Sequence, residues 1–94
     1  MYWRMMIGEA IGESELAELV IRVSEFLPKL LQEHGFQRGQ LLREDGGLML
    51  IALTIWDNRK DCLEHDASRI NRQLIAKTQH LLIGQFVVKL FDIT

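Results

Sequence analysis

The stretch Gly47–Trp56, GLMLIALTIW, is apolar on both faces of any strand it forms. Strand alternation puts Leu48, Leu50, Ala52, Thr54 and Trp56 on one side. Met49, Ile51, Leu53 and Ile55 then lie on the other, and both sides need cover. The remaining chain supplies helices for one side only. The cover predicted for the second side is another copy of the chain.

The flanking sequence supplies the rest of the fold. Tyr2–Ile7 reads as a short strand. Ser14 is a candidate helix cap, and Glu13, Glu15 and Glu18 place negative charge near a helix N-terminus. Leu16, Leu19, Val20, Val23, Leu27, Leu30 and Leu31 recur at helical spacing, with a bend expected at Pro28 and a stop at Gly35. Phe36–Glu44 reads as a more polar strand, fitting an edge, and Asp45-Gly46-Gly47 reads as a hairpin turn. After the apolar strand, Asn58 and Asp61 resemble a capping box. A helical region follows from about Arg59 to Ile83, with Leu63, Ala67, Ile70, Leu74 and Leu81 as its buried stripe. Ser68 can cap a new helix, so a break near Asp66-Ala67-Ser68 is one of two readings of that region. Gln85–Ile93 is the last strand.

The order is β-α-β-β-α-β. Right-handed crossovers and a central hairpin make this an α+β, ferredoxin-like domain spanning residues 1–94. The sheet is four-stranded and antiparallel, with both helical regions on one face. The helix-free face is too apolar for a soluble monomer. Two sheets are therefore expected to pack face to face about a two-fold axis, giving a homodimeric α/β barrel. A half-exposed face is the plainer alternative.

Bulk properties narrow the class. At 94 residues, a lone domain buries only about 60–65% of its unfolded surface, so association would help it. The net charge is −2 and the basic residues are scattered, which argues against nucleic acid as a partner. No apolar run approaches the length of a membrane span. The N-terminus MYWRMMIGEAIGE lacks the pattern of a signal peptide, and Cys62, the single cysteine, precludes an internal disulfide. A reduced, cytoplasmic setting is expected.

The segments HGFQRGQLLRED, LTIWDNRKDCLEHDAS and FVVKLFDIT, set in this element order, resemble the antibiotic biosynthesis monooxygenase-type family of dimeric α/β barrels. The resemblance spans nearly the whole chain and is best where the third strand ends in Trp56 and His65 follows on the next helix. It implies a cofactor-independent, monooxygenase-like enzyme acting on an aromatic or phenolic ligand held between sheet and helices. It equally admits a non-catalytic binding or assembly module on the same barrel. The haem-degrading branch adds an asparagine on the first strand, and Tyr2–Gly8 has none. The polyketide-oxidising branch has an asparagine at the place of Ala52.

Four residues are candidates for a site. Trp56 either stacks on a flat ligand or caps the core. His65 is a candidate proton-transfer residue, with Asp61 one turn earlier to orient it; the plainer reading is a surface ion pair. Arg4 and Lys89 are charges inside apolar strands, suited either to an anionic ligand or to snorkelling and cross-interface pairing. His34 reads as a helix-end residue, His80 as solvent-facing and Cys62 as an inert small apolar residue. No pair of histidines has metal-site spacing, so no metal is expected, and the resemblance implies a mechanism that needs no cofactor.

Overall fold

A computed structural model describes all 94 residues. The strands are β1 (Tyr2–Glu9), β2 (Phe36–Arg43), β3 (Met49–Trp56) and β4 (Val87–Asp92). The helices are α1 (Glu13–Phe26), α2 (Arg59–Asp66) and α3 (Arg69–Thr78), with 3₁₀ segments at Leu27–Gln32 and Gln79–Leu81. The sheet order is β2-β3-β1-β4, antiparallel at every pairing. This is the ferredoxin-like arrangement expected from the element order.

The register settles which residues share a face. Arg4 lies between Thr54 and Leu90, and Met6 lies between Ala52 and Val88. On this side Met6, Leu50 and Ala52 pack against Leu16, Leu19, Val23 and Phe26 of α1 and Leu74 of α3. The opposite side carries Trp3, Met5, Ile7, Met49, Ile51 and Leu53, all only half-buried. Val87 (53% exposed) and Phe91 (46% exposed) extend that patch on β4. The helices thus cover one face of the doubly apolar strand, and the chain leaves its other face largely open.

Two local readings change, and one that was open is decided. α1 starts at Glu13 after Gly12, so Ser14 lies inside the helix, where its hydroxyl donates to Glu15 rather than capping. Beyond Pro28 the chain tightens to a 3₁₀ segment instead of resuming a bent α-helix. At three residues per turn the α-helical stripe no longer holds: Leu30 stays buried while Leu31 is 73% exposed. The second helical region breaks. Asn58 accepts from the Asp61 N–H at 3.0 Å, and Ser68 accepts from the Asn71 N–H at 3.1 Å, so each begins its own helix. Ala67 falls in that break and is exposed rather than part of a buried stripe.

Candidate functional site

Arg4 is buried under the helices, 2% exposed. Its Nε and Nη2 donate to Asp66 Oδ1 at 3.2 and 2.9 Å. Nη2 also lies 3.5 Å from Asn71 Oδ1, at the limit of a hydrogen bond. Asn71 Nδ2 donates to the Asp66 carbonyl at 2.9 Å. The α2–α3 break is thereby tied to the sheet floor. Asp66 itself is 47% exposed, so the ion pair is solvated on one side. Arg4 Nη1 faces only Met6 Sδ, at 3.9 Å. Thioether sulfur is a weak acceptor, so this donor remains available.

His65 projects from α2 and is 5% exposed. Its ring stacks on Trp56, centroids 4.8 Å apart and planes 25° apart. Trp56 Nε1 donates to Thr54 Oγ1 at 3.0 Å, and Phe36 meets the indole edge-on at 5.3 Å. His65 Nδ1 lies 2.7 Å from Glu33 Oε2. Burial pushes the His65 pKa below its ordinary value; Glu33 opposes this and Arg4 reinforces it. An ionised carboxylate only accepts, so this contact calls for the proton on Nδ1.

Asp61 was expected to orient His65, but it accepts from His34 Nδ1 at 2.9 Å. The cause is the chain leaving the 3₁₀ segment. It lays Glu33 and His34 across α2, where they pair crosswise with His65 and Asp61. The Asp61 hydrogen bond raises the pKa of the exposed His34. Cys62 is fully buried, and that burial raises its thiol pKa. No group of three or more His, Cys, Asp or Glu side chains is placed to hold a metal ion.

Three spaces adjoin these residues. A narrow chamber of about 20 Å³ is bounded by Arg4, Thr54, His65 and Asn71, with Met6, Phe26 and Leu74 among its apolar walls. That is room for about one water molecule. A groove of about 350 Å³ runs between α3 and the β1–β4 edge, lined by Gln79, Phe86 and Val88; Arg4, Met6 and Asn71 border both spaces. On the far side of His65 is a polar cleft of about 150 Å³, lined by Glu33, His34, Asp61, Glu64, His65 and Ser68.

Of the four expected site residues, Arg4 and His65 meet at the chamber. Trp56 is fully buried and lines none of these spaces; it backs the His65 ring. Lys89 pairs in register with Met5 on the helix-free face, across the sheet from Arg4. Sequence reasoning missed Glu33, Asp66 and Asn71 as partners. Asn71 carried a signal: it follows Ile70 and precedes Leu74 by three residues, so it shares the buried helix face.

No protein-family model matches the sequence, and no curated protein matches it. Among solved structures, a candidate antibiotic biosynthesis monooxygenase from Deinococcus radiodurans superposes with a TM-score of 0.87 over 100% of this chain and 93% of its own, at 17% identity. The fold is that of the antibiotic biosynthesis monooxygenases. A candidate member from Nitrosomonas europaea covers 98% of this chain and 97% of its own at TM-score 0.84 and 11% identity. SnoaB from Streptomyces nogalater, a cofactor-independent oxygenase, covers 98% and 91% at TM-score 0.82 and 17% identity. The antibiotic biosynthesis monooxygenase fold thus accounts for almost every residue of the chains compared.

Proposed function

We propose that this protein is a cofactor-independent, monooxygenase-like enzyme acting on a small aromatic or phenolic ligand. One observation carries the reading. Of the six buried polar or charged residues, four (Arg4, Thr54, His65 and Asn71) surround one chamber beside an open groove. Each has a structural partner elsewhere, yet all four turn towards one shared space, and burying polar groups costs free energy. Convergent polar groups beside an apolar groove are the usual make-up of a small-molecule site.

In this reading the ligand ring lies in the groove against Phe86 and Val88. Its hydroxyl reaches towards the chamber, where His65 takes the proton and Arg4 Nη1 holds the resulting oxyanion. The electron-rich anion is then itself the reductant of O2: one oxygen atom becomes a C=O at a ring carbon as its C–H bond breaks, and the other leaves as water with that hydrogen and the proton returned by His65. Trp56 fixes the imidazole plane from behind. The test is absorbance titration with 4-nitrophenol, whose ionisation is visible. The parent protein is expected to bind it as phenolate near neutrality, and His65→Ala to lose that signal. Equal spectra for the two proteins would remove His65 from the mechanism.

The second reading is a non-catalytic binding or assembly module. Its support is Trp56, which is sealed in the core and lines no cavity. Failure of every phenol to bind the parent would favour it.

In both readings the chain forms a homodimer through its helix-free sheet face. The half-buried row Trp3, Met5 and Ile7 supports this, as does the Trp3 indole N–H, which is buried without an acceptor. Lys89 then belongs to the dimer interface. No helix is long and apolar enough to cross a membrane, and one buried cysteine fits a reducing, cytoplasmic setting.

A further inference from the structure

His65 is the one residue shared by the buried chamber and the outer polar cleft. Its ring is part of the wall between them. Glu33 lines the cleft and not the chamber, so the Nδ1 edge of the ring is turned outward to meet it. Nε2, the other ring nitrogen, has no hydrogen-bond partner in the chain. Glu33 is itself held: it is only 16% exposed, and its backbone N–H donates to the Leu30 carbonyl at 2.9 Å, closing the 3₁₀ segment. A carboxylate on a pinned backbone, against one nitrogen of a buried and stacked imidazole, has the geometry that fixes a tautomer.

We propose that Glu33 is the positioning residue for His65: it accepts the Nδ1–H, reserves Nε2 as the base for the chamber, and balances the imidazolium that forms there. This rests on the reading of His65 as the base that ionises a phenolic ligand. In the step, the ligand O–H bond breaks and the Nε2–H bond forms. The electron pair stays on the ligand oxygen, facing Arg4 Nη1. Glu33 remains a carboxylate throughout. The charged groups around the ring divide clearly. Glu33 from the segment before β2 and Asp66 on α2 favour the imidazolium, while Arg4 on β1 and burial oppose it. His34, Asp61 and Glu64 line the same cleft, and none of them makes a hydrogen bond to the ring. Glu33 is thus the near charge that makes a transient imidazolium tolerable.

The decisive measurement is ¹⁵N imidazole NMR on the full chain. The parent His65 should carry its proton on Nδ1 near neutrality, with Nε2 bare. Glu33→Gln keeps an acceptor for Nδ1–H but removes the charge. It should keep the tautomer and lower the His65 titration midpoint by about one pH unit. Glu33→Asp should restore part of that shift, and His34 should titrate unchanged in both variants. A parent spectrum with the proton on Nε2, or an unmoved midpoint in Glu33→Gln, overturns the proposal. The parent tautomer needs no substitution, so it decides the matter even if a variant misfolds. With 4-nitrophenol as probe, Glu33→Gln should bind about tenfold less phenolate than the parent, in step with that midpoint. If the parent binds no 4-nitrophenol, the phenol reading fails, while the nitrogen spectra still decide whether Glu33 sets the tautomer.

Discussion

The Trp56 indole and the His65 imidazole lie almost parallel, 4.8 Å apart, and each is tied down at its far side: Trp56 to Thr54, His65 to Glu33. This couples the end of β3 to α2 through two rings that have little freedom to move. Truncating either ring removes the packing of both. His65→Ala is expected to destabilise the fold by about 2–3 kcal/mol, from the lost stack and the partly buried Glu33 left unpaired. Urea unfolding monitored by Trp fluorescence reads this directly. A change below about 0.5 kcal/mol would mean the stack contributes only shape.

The two crossed histidine pairs give stability opposite responses to pH. The folded pKa of His65 lies below its ordinary value of 6.5, so the unfolded chain binds that proton more readily. Its contribution is complete above 6.5 and is lost as pH falls below it. The folded pKa of His34 lies above 6.5, so its contribution is complete below 6.5 and fades as pH rises through the folded value. His34→Gln should therefore lose the gain in thermal stability that the parent makes as pH falls towards 6.5, and should leave the loss below 6.5 unchanged. Melting curves across both ranges check this. A variant that keeps the gain on the approach to pH 6.5 would mean that His34 does not supply it.

Much of this architecture is legible before any coordinates. The double apolar alternation of Met49–Trp56 fixes a central strand, and the hairpin glycines fix its neighbour. Alternation is a local property, and β pairing preserves it. Pairings between loops and helices are not local. Nothing in the spacing of Asp61 and His65 says that Glu33 and His34 will cross above them, because that depends on where a 3₁₀ segment delivers the chain. The fate of Lys89 was hidden for a related reason. Whether a charged residue in an apolar strand faces the helices depends on one residue of register against β1, and Lys89 pairs with Met5 rather than with Arg4.

Arg4 anchors the α2–α3 junction as well as facing the chamber. Arg4→Met keeps an unbranched apolar stem, though a shorter one, and removes the donors to Asp66 and Asn71. Because Asp66 is half solvated, the lost ion pair costs little by itself. The larger effect is on order at residues 66–71, where Asn71 loses a partner. Hydrogen exchange of those amides should accelerate about tenfold or more, with α1 unchanged. Uniform acceleration across the chain would instead mean global destabilisation.

Gly35 marks the crossing point. It has φ +79°, and a Cβ there would collide with the buried Asp61 carboxylate. Gly35→Ala combines left-handed strain with that clash, so a loss of about 1–3 kcal/mol is expected. The displaced Asp61 should also release His34, returning its NMR titration towards 6.5. Retention of both parent stability and the raised His34 titration would show that the loop moves freely and does not hold Glu33.

The open sheet face gives the last prediction. Ile51 pairs with Ile7 on β1 and Leu42 on β2, and Ile7 pairs with Val87 on β4, so one apolar row crosses all four strands on the helix-free side. Burying side chains of this size is worth roughly 1.5–3 kcal/mol each when fully exposed beforehand, and less for those already half-covered. Micromolar association needs about 8 kcal/mol net, so the row has to act together with the rest of the open face, Trp3, Met5 and Phe91 included. Ile51→Glu places a carboxylate in that row without touching the helix-covered core. Sedimentation should show the parent at twice 10.9 kDa and Ile51→Glu at 10.9 kDa. The variant should keep the helical signal of the fold while melting at lower temperature, because its cover is gone. A parent that sediments as a monomer at micromolar concentration would refute the dimer.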